Sequence, residues 1–209
     1  LEEEIFLTSF LWEEAKHTEF FRRILDEVFG AHEDLHRYLT PSYRKIFCEE
    51  LPAAMGALAT DASPRAQARA SVTYNMIVEG VLAETGYQAY FTALERNDLL
   101  PGLRRGIAHV KRDESRHIAY GVFLLSRLVA EHPETWQEIQ TRMGELVEPA
   151  LTIIQEIFAA YDEIPFGLKI EEFTDFAMKQ FSRRLARIER ARGQSMEQIH
   201  ETWRQDESA

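Results

Sequence analysis

Cysteine is almost missing from this sequence: Cys48 is the only one in 209 residues. That excludes an internal disulfide and a thiolate metal cluster, and makes cytoplasmic residence the default expectation. Long apolar runs are missing too. The most apolar stretch, Val122 to Ala130, is interrupted by Ser126 and Arg127 and falls well short of the roughly 20 residues that span a bilayer. Positive charge is in deficit, with 24 Lys and Arg against 35 Asp and Glu, a formal net charge of -11. Such a balance excludes a phosphate-backbone partner, because nucleic-acid binding needs a basic face. It is no obstacle to metal cations. The first residue is Leu1 rather than Met, so the sequence reads as one that begins inside a longer polypeptide.

What is present is helical periodicity nearly everywhere, with no convincing alternating strand. Leu1 to about Phe29 predicts a first helix stopped by Gly30, followed by a polar connection to Pro41. Ser42 to about Leu58 is a second helical stretch that Pro52 divides or kinks. Ser63-Pro64 is a helix start, with Ser63 as cap, and the helix beginning there runs to about Arg96. Further helices are expected from the Asn97–Gly102 turn to about Glu131, and from His132-Pro133 to about Tyr161 with a kink at Pro149. A break at Ile164–Gly167 precedes a charged helix, Glu171 to Arg192, and Gly193 separates that from a short amphipathic tail. With no repeat, low-complexity segment or linker, residues 1–209 read as one all-α domain, a helical bundle.

The chemistry lies in Glu-x-x-His pairs. Residues at i and i+3 share a helix face, so carboxylate and imidazole can bind one metal ion. Two such pairs on different helices, joined by single glutamates from two more, make the two-metal carboxylate site of helical bundles. With 7 His in the chain, roughly one such pair is expected by chance. There are four: Glu14/His17, Glu33/His36, Glu114/His117 and Glu197/His200. Glu33/His36 follows Gly30 in the polar connection and Glu197/His200 lies in a polar tail, so both read as surface residues. Glu14/His17 and Glu114/His117 sit mid-helix among Phe10, Leu11, Phe20, Phe21, Ile118, Val122 and Phe123, where a buried carboxylate needs a strong partner.

A lone glutamate on the intervening helix would complete the set. Glu79 and Glu84 are the candidates. Glu79 has the more apolar surroundings, and Gly80 beside it admits a close neighbour, so Glu79 is preferred.

Glu13-Glu14-Ala15-Lys16-His17, Tyr74 to Gly80 and Arg112-Asp113-Glu114-Ser115-Arg116-His117 resemble the metal-binding helices of the ribonucleotide reductase small-subunit superfamily, whose fold is ferritin-like. The branch most similar is that of the ligand-binding oxidases, which assemble a manganese–iron site and bind a long-chain fatty acid. The resemblance implies an O2-activating oxidoreductase, a homodimer, with Glu14, His17, Glu79, Glu114 and His117 as metal ligands; manganese and iron, one each, or two irons, would fill it. It implies that Tyr74 becomes joined by an ether link to a valine on the preceding helix, that Tyr87 lies near the metals, and that Asp113 hydrogen-bonds a metal-binding histidine. Read without the resemblance, Tyr74 is a packed aromatic and Asp113 a salt-bridge partner of Arg112.

Tyr74 and Glu79 stand about 140° apart on an ideal α-helix, so both reach one site only across a local distortion such as a π-bulge. Where radical-generating reductase subunits commonly carry a tyrosine, four residues after the first metal histidine, this sequence has Phe21. That favours the oxidase over a reductase small subunit; an iron-binding ferritin-like protein is a further alternative. The family's first metal-binding helix, which supplies a further glutamate and the cross-linking valine, would precede Leu1; the ferritin-like domain therefore reads as incomplete at its N-terminus.

Overall fold

Ser63 caps its helix as the sequence predicts: its hydroxyl accepts the Ala66 N–H at 3.2 Å, and Pro64, with no N–H to leave unpaired, takes the first helical position. In the computed structural model, which describes residues 1–31 and 33–207, the chain then stays helical to Arg96 as α4 (Pro64–Ser71), a π-helical segment (Val72–Ala83) and α5 (Glu84–Arg96). Before it come α1 (Glu2–Arg23), which ends in a π turn over Ile24–Val28, and a helix built from α2 (Pro41–Arg44), a π turn (Lys45–Glu50) and α3 (Leu51–Ala57). After it come α6 (Pro101–Glu131), α7 (Thr135–Ala159), α8 (Ile170–Arg190) and α9 (Met196–Glu207). No strand occurs among the described residues.

The breaks fall where the sequence puts them. Gly30 and Gly193 adopt φ of 59° and 73° at the ends of their helices, a region open to glycine at no steric cost. Pro52 distorts its helix rather than ending it, and the Leu51 N–H reaches back five residues to Ile46 O. Pro149 lies inside α7 without stopping it.

The 64–96 helix, α6, α7 and α8 surround one core, and α1 packs on the flank of α6. The π segment is the centre of this arrangement: nine of its 12 residues are buried. Met76, Ile77 and Val81 pack against Leu125, Ile139 and Ile153, and burial of those three side chains stabilises the fold by on the order of 5 kcal/mol. A helix buried on nearly every side must find partners for its polar groups among its neighbours. Thr73 accepts from Nε of the fully buried Arg142 at 2.9 Å, and Arg142 also bonds Glu50 and Glu145 at 2.7 and 2.9 Å. Gly80 does admit a close neighbour, the guanidinium of Arg184 on α8, which donates to Gly80 O at 2.5 Å. A Cβ on Gly80 would stand 3.0 Å from that group.

The α6 helix and the π segment approach each other closely. A Cβ on Gly121 would overlap the Asn75 side chain, so glycine is what lets the two helices meet. Gly121→Ala is expected to force them apart and destabilise the protein by about 1–3 kcal/mol, read as a lower denaturation midpoint with unchanged helical content after refolding.

Candidate metal centre

Two helices carry the same five-residue pattern, an acidic pair followed by histidine: Glu13-Glu14-x-x-His17 on α1 and Asp113-Glu114-x-x-His117 on α6. The i, i+3 spacing turns each Glu and His toward the other helix. His117 Nδ1 lies 3.4 Å from Glu14 Oε1, 3.2 Å from Glu79 Oε1 and 3.5 Å from Glu114 Oε2. His17 Nδ1 lies 3.3 Å from Glu114 Oε1 and 3.8 Å from Glu14 Oε2. Ligand atoms of Glu14, Glu79, Glu114 and His117 all fall within 4.8 Å of one another. His17 stands at the edge of that group, its ring 6.3 Å from that of His117.

The far nitrogen of each histidine is held by the other helix. His117 Nε2 lies 3.0 Å from Glu13 Oε2, while His17 Nε2 lies 3.4 Å from Asp113 Oδ2. The carboxylate preceding each glutamate therefore crosses over to orient the opposite histidine, which fixes ring and tautomer. Glu13 is buried and also pairs with Arg116; Asp113 pairs with Lys16 at 3.4 Å and Arg116 at 4.0 Å. Sequence reasoning gave Glu13 and Arg116 no role. The signal that would have found Glu13 is the acidic residue directly before both Glu-x-x-His pairs.

The third side comes from the π segment. With i→i+5 bonding, residues five apart approach one face, and Tyr74 and Glu79 both reach the site. The Tyr74 hydroxyl donates to Glu14 Oε1 at 2.9 Å, and Tyr87, on α5, donates to Glu114 Oε1 at 3.2 Å. Asn75, also without a role in the sequence reading, donates to Glu79 Oε2 at 2.9 Å and to His117 O at 3.4 Å. Its own Oδ1 accepts from Ser71 at 3.0 Å. Gly121 makes room for this amide.

The electrostatics follow from crowding carboxylates among buried rings. The nearby His117 and then His17 imidazoles hold Glu14 far below the usual carboxylate range. Burial opposes a charge on either imidazole, yet the carboxylates outweigh it. Glu114 and Glu14 raise His17 to about 9, and Glu114, Glu14 and Glu79 raise His117 to about 11. Burial pushes Glu79 up, against the pull of His117 and Asn75. Glu114 is lowered by His117 and His17 in spite of its burial. Burial, then the neighbouring carboxylates, raise the Tyr74 and Tyr87 hydroxyls well above the ordinary phenol value.

The other candidates lie elsewhere. Glu84 pairs with Arg184 at 2.6 Å. Glu33 and His36 are exposed and bond Arg37 and Asp34, and the exposed His200 ring stacks on Phe123. Phe21 occupies the position beside the site, stacked on Tyr87 with ring centroids 6.1 Å apart.

This donor set fits divalent cations. Carboxylate oxygens with imidazole nitrogens suit manganese, iron and zinc. Two buried atoms, His17 Nδ1 and Glu114 Oε2, have no hydrogen-bond partner, and both are of the kind that ligates such a cation. The Glu14 side chain is 40% exposed, so a cation has a way in.

The family described as Ribonucleotide reductase, small chain, matches residues 1–189. Among solved structures, an R2-like ligand-binding oxidase from Sulfolobus acidocaldarius is 37% identical, with a TM-score of 0.82 over 93% of this chain and 67% of its own. A single-site variant of an R2-like ligand-binding oxidase with an aerobically reconstituted Mn/Fe cofactor is 33% identical, with a TM-score of 0.83 over 87% of this chain and 67% of its own. The chain thus spans about two thirds of the length of these oxidases. A shared helical core, a matching family over nine-tenths of the chain and two crossed acidic pairs lead to one assignment: the chain belongs to the ribonucleotide reductase small-chain family, with the ferritin-like fold of the R2-like ligand-binding oxidases.

Proposed function

We propose that Glu14, His17, Glu79, Glu114 and His117 hold one manganese and one iron, and that the protein is an O2-activating oxidase with a long-chain fatty acid as ligand. Membership of the family makes it a di-metal oxidoreductase. The observation that carries the site is the convergence of four ligand-bearing side chains within 4.8 Å, with an unpartnered buried atom on one of them, Glu114 Oε2, and another at their edge, His17 Nδ1. When bound, two redox-active ions supply the power to reduce O2 and to remove hydrogen from a C–H or O–H bond.

The chain's own residues do the rest. Glu13 and Asp113 hold the two imidazoles in register, and Asn75 fixes the Glu79 carboxylate. Tyr74 and Tyr87 keep their protons and donate them as hydrogen bonds to Glu14 and Glu114. Tyr74 is the residue proposed to form the ether link. Apolar Phe10, whose ring lies 4.0 Å from that of His117, limits water at the site. An apolar cavity of about 460 Å³ flanks the π segment, lined by Val78, Leu82, Ala83, Ile154 and Phe158 among others. Its size lies within the range of small-molecule sites; none of the five proposed metal ligands lines it, so the fatty acid at the metal site rests on the resemblance alone. Phe21 beside Tyr87 leaves no tyrosine in the radical position and speaks against a reductase subunit. No described helix is long and apolar enough to cross a membrane, and the protein is proposed to work as a cytoplasmic homodimer.

Reconstitution of the full-length protein with Mn(II) and Fe(II) under O2, followed by elemental analysis and mass spectrometry of the tryptic peptide that contains residues 70–96, tests this reading. About two transition-metal ions per chain are expected; absence of bound metal would falsify it, and an unaltered Tyr74 beside two bound metals would remove the ether link.

The two raised imidazoles make loading depend on pH. Their stabilisation of the metal-free chain is complete below about 6.5, the ordinary histidine value, and is lost as pH rises through about 9 and then about 11. Metal competes for the same nitrogens, so its affinity runs the other way. Proton release into weak buffer on adding Mn(II) at pH 7, and a Kd that falls as pH rises to 8.5 or so, are expected. Glu13→Gln is expected to weaken metal binding about 10- to 100-fold in a chelator-competition titration, with the melting temperature of the metal-free chain little changed.

A further inference from the structure

The π segment gives way to α5 at Glu84, and the pairing there deprives Gly80 O of its α-helical partner. On a regular α-helix the Glu84 N–H would serve Gly80 O, four residues back. It bonds Glu79 O, five residues back. Gly80 O accepts from α8 instead, through Arg184 Nη1 at 2.5 Å. Nη2 of the same guanidinium donates to Glu84 Oε2 at 2.6 Å, and Gln180 donates to Glu84 Oε1 at 3.3 Å. One planar group therefore holds a carbonyl of the π segment and the first side chain of α5.

The contact is shielded and specific. The Arg184 side chain is 14% exposed and that of Glu84 20%, unlike the loosely held pairs of a protein surface. Arginine offers two donors in a fixed fork, which lysine cannot, and a carbonyl beside a carboxylate uses both. A side chain at position 80 would crowd that guanidinium.

Groups of the metal centre stand on both sides of this junction. Glu79 directly precedes Gly80, and Tyr87, three residues beyond Glu84, donates to Glu114 Oε1. Their relative aim depends on which carbonyl the Glu84 N–H serves. A return of that bond to Gly80 O would rewind the backbone between them. A ligand set tolerates only about 10–20° of misorientation, so a small rewinding suffices to disturb it.

We propose that Arg184 is a positioning residue for the metal centre: by occupying Gly80 O and anchoring on Glu84, it holds the junction in the pairing that brings Glu79 and Tyr87 to one site. Its hydrogen bonds go to Gly80 and Glu84 rather than to a proposed ligand, so it acts through the backbone. This rests on the di-metal reading above and adds the group that keeps the third side of the site in place.

The test is Co(II) binding to the full-length protein, read by chelator competition and by the visible spectrum, which responds to ligand geometry. Arg184→Met combined with Glu84→Gln leaves no buried charge alone. That double variant is expected to bind Co(II) about tenfold more weakly, with an altered spectrum. Its Glu84 amide is expected to exchange hydrogen faster than that of wild type, both metal-free. Arg184→Lys, which keeps the charge and loses the fork, is expected to fall between. Ile139→Val, a core change on α7, is expected to melt lower yet keep the wild-type spectrum and affinity. A double variant that melts lower but keeps both would overturn the proposal and leave Arg184 a packing contact. An equal spectral change in Ile139→Val would also overturn it, since any loss of stability would then produce the effect. Wild type that binds no Co(II) would instead remove the di-metal reading itself, and this inference with it.

Discussion

Five carboxylates converge between α1, the π segment and α6, and the need to neutralise them shapes everything around them. Among the described residues, Glu13, Glu14, Glu79, Asp113 and Glu114 share His17, His117, Lys16 and Arg116 as nearby cations. Three of the five are at least 95% buried, where an unpaired charge is far more expensive than in water. Without metal the protonated imidazoles do the neutralising. With metal bound as proposed, they would give up that task and become ligands. One cluster would thus have two self-consistent charge states, and the surrounding helices need only hold the donor atoms in place for both.

Holding them is the work of the crossed pairs and the π segment. Because Glu13 serves the histidine of α6 and Asp113 that of α1, neither helix can shift along the other without misaligning a ring on each. The π segment adds what a regular helix could not, Tyr74 and Glu79 on one side five residues apart. Its extra polar demands are met from outside, by Arg142 at Thr73 and by Arg184 at Gly80.

Much of this was legible in the sequence, for local reasons. Helix spans follow from periodicity, from the Ser63-Pro64 start and from Gly30 and Gly193, all features of neighbouring residues. The distortion near Tyr74 was legible as a conflict of angles, once Tyr74 and Glu79 were assigned to one site. The structure brings Glu14, Glu79, Glu114 and His117 together and sets His17 at their edge. It leaves Glu33, His36, Glu84 and His200 apart. Glu13, Asn75, Arg116 and Gly121 were not legible in that way, since their meaning lies in which residue of another helix they face.

The π segment has one face on the carboxylates and another, through Val78, Leu82 and Ala83, on the apolar cavity. Any substitution that reshapes the cavity from this helix also disturbs the backbone that spaces Tyr74 from Glu79. Relatives that accept different ligands would therefore be expected to vary on the opposite wall, at α7, at Phe173 of α8 and in the connection between them, which border the cavity and contribute nothing to the carboxylate cluster. Ligand choice and oxidation chemistry would then drift independently over time, with a single helix as the boundary between what can vary and what cannot.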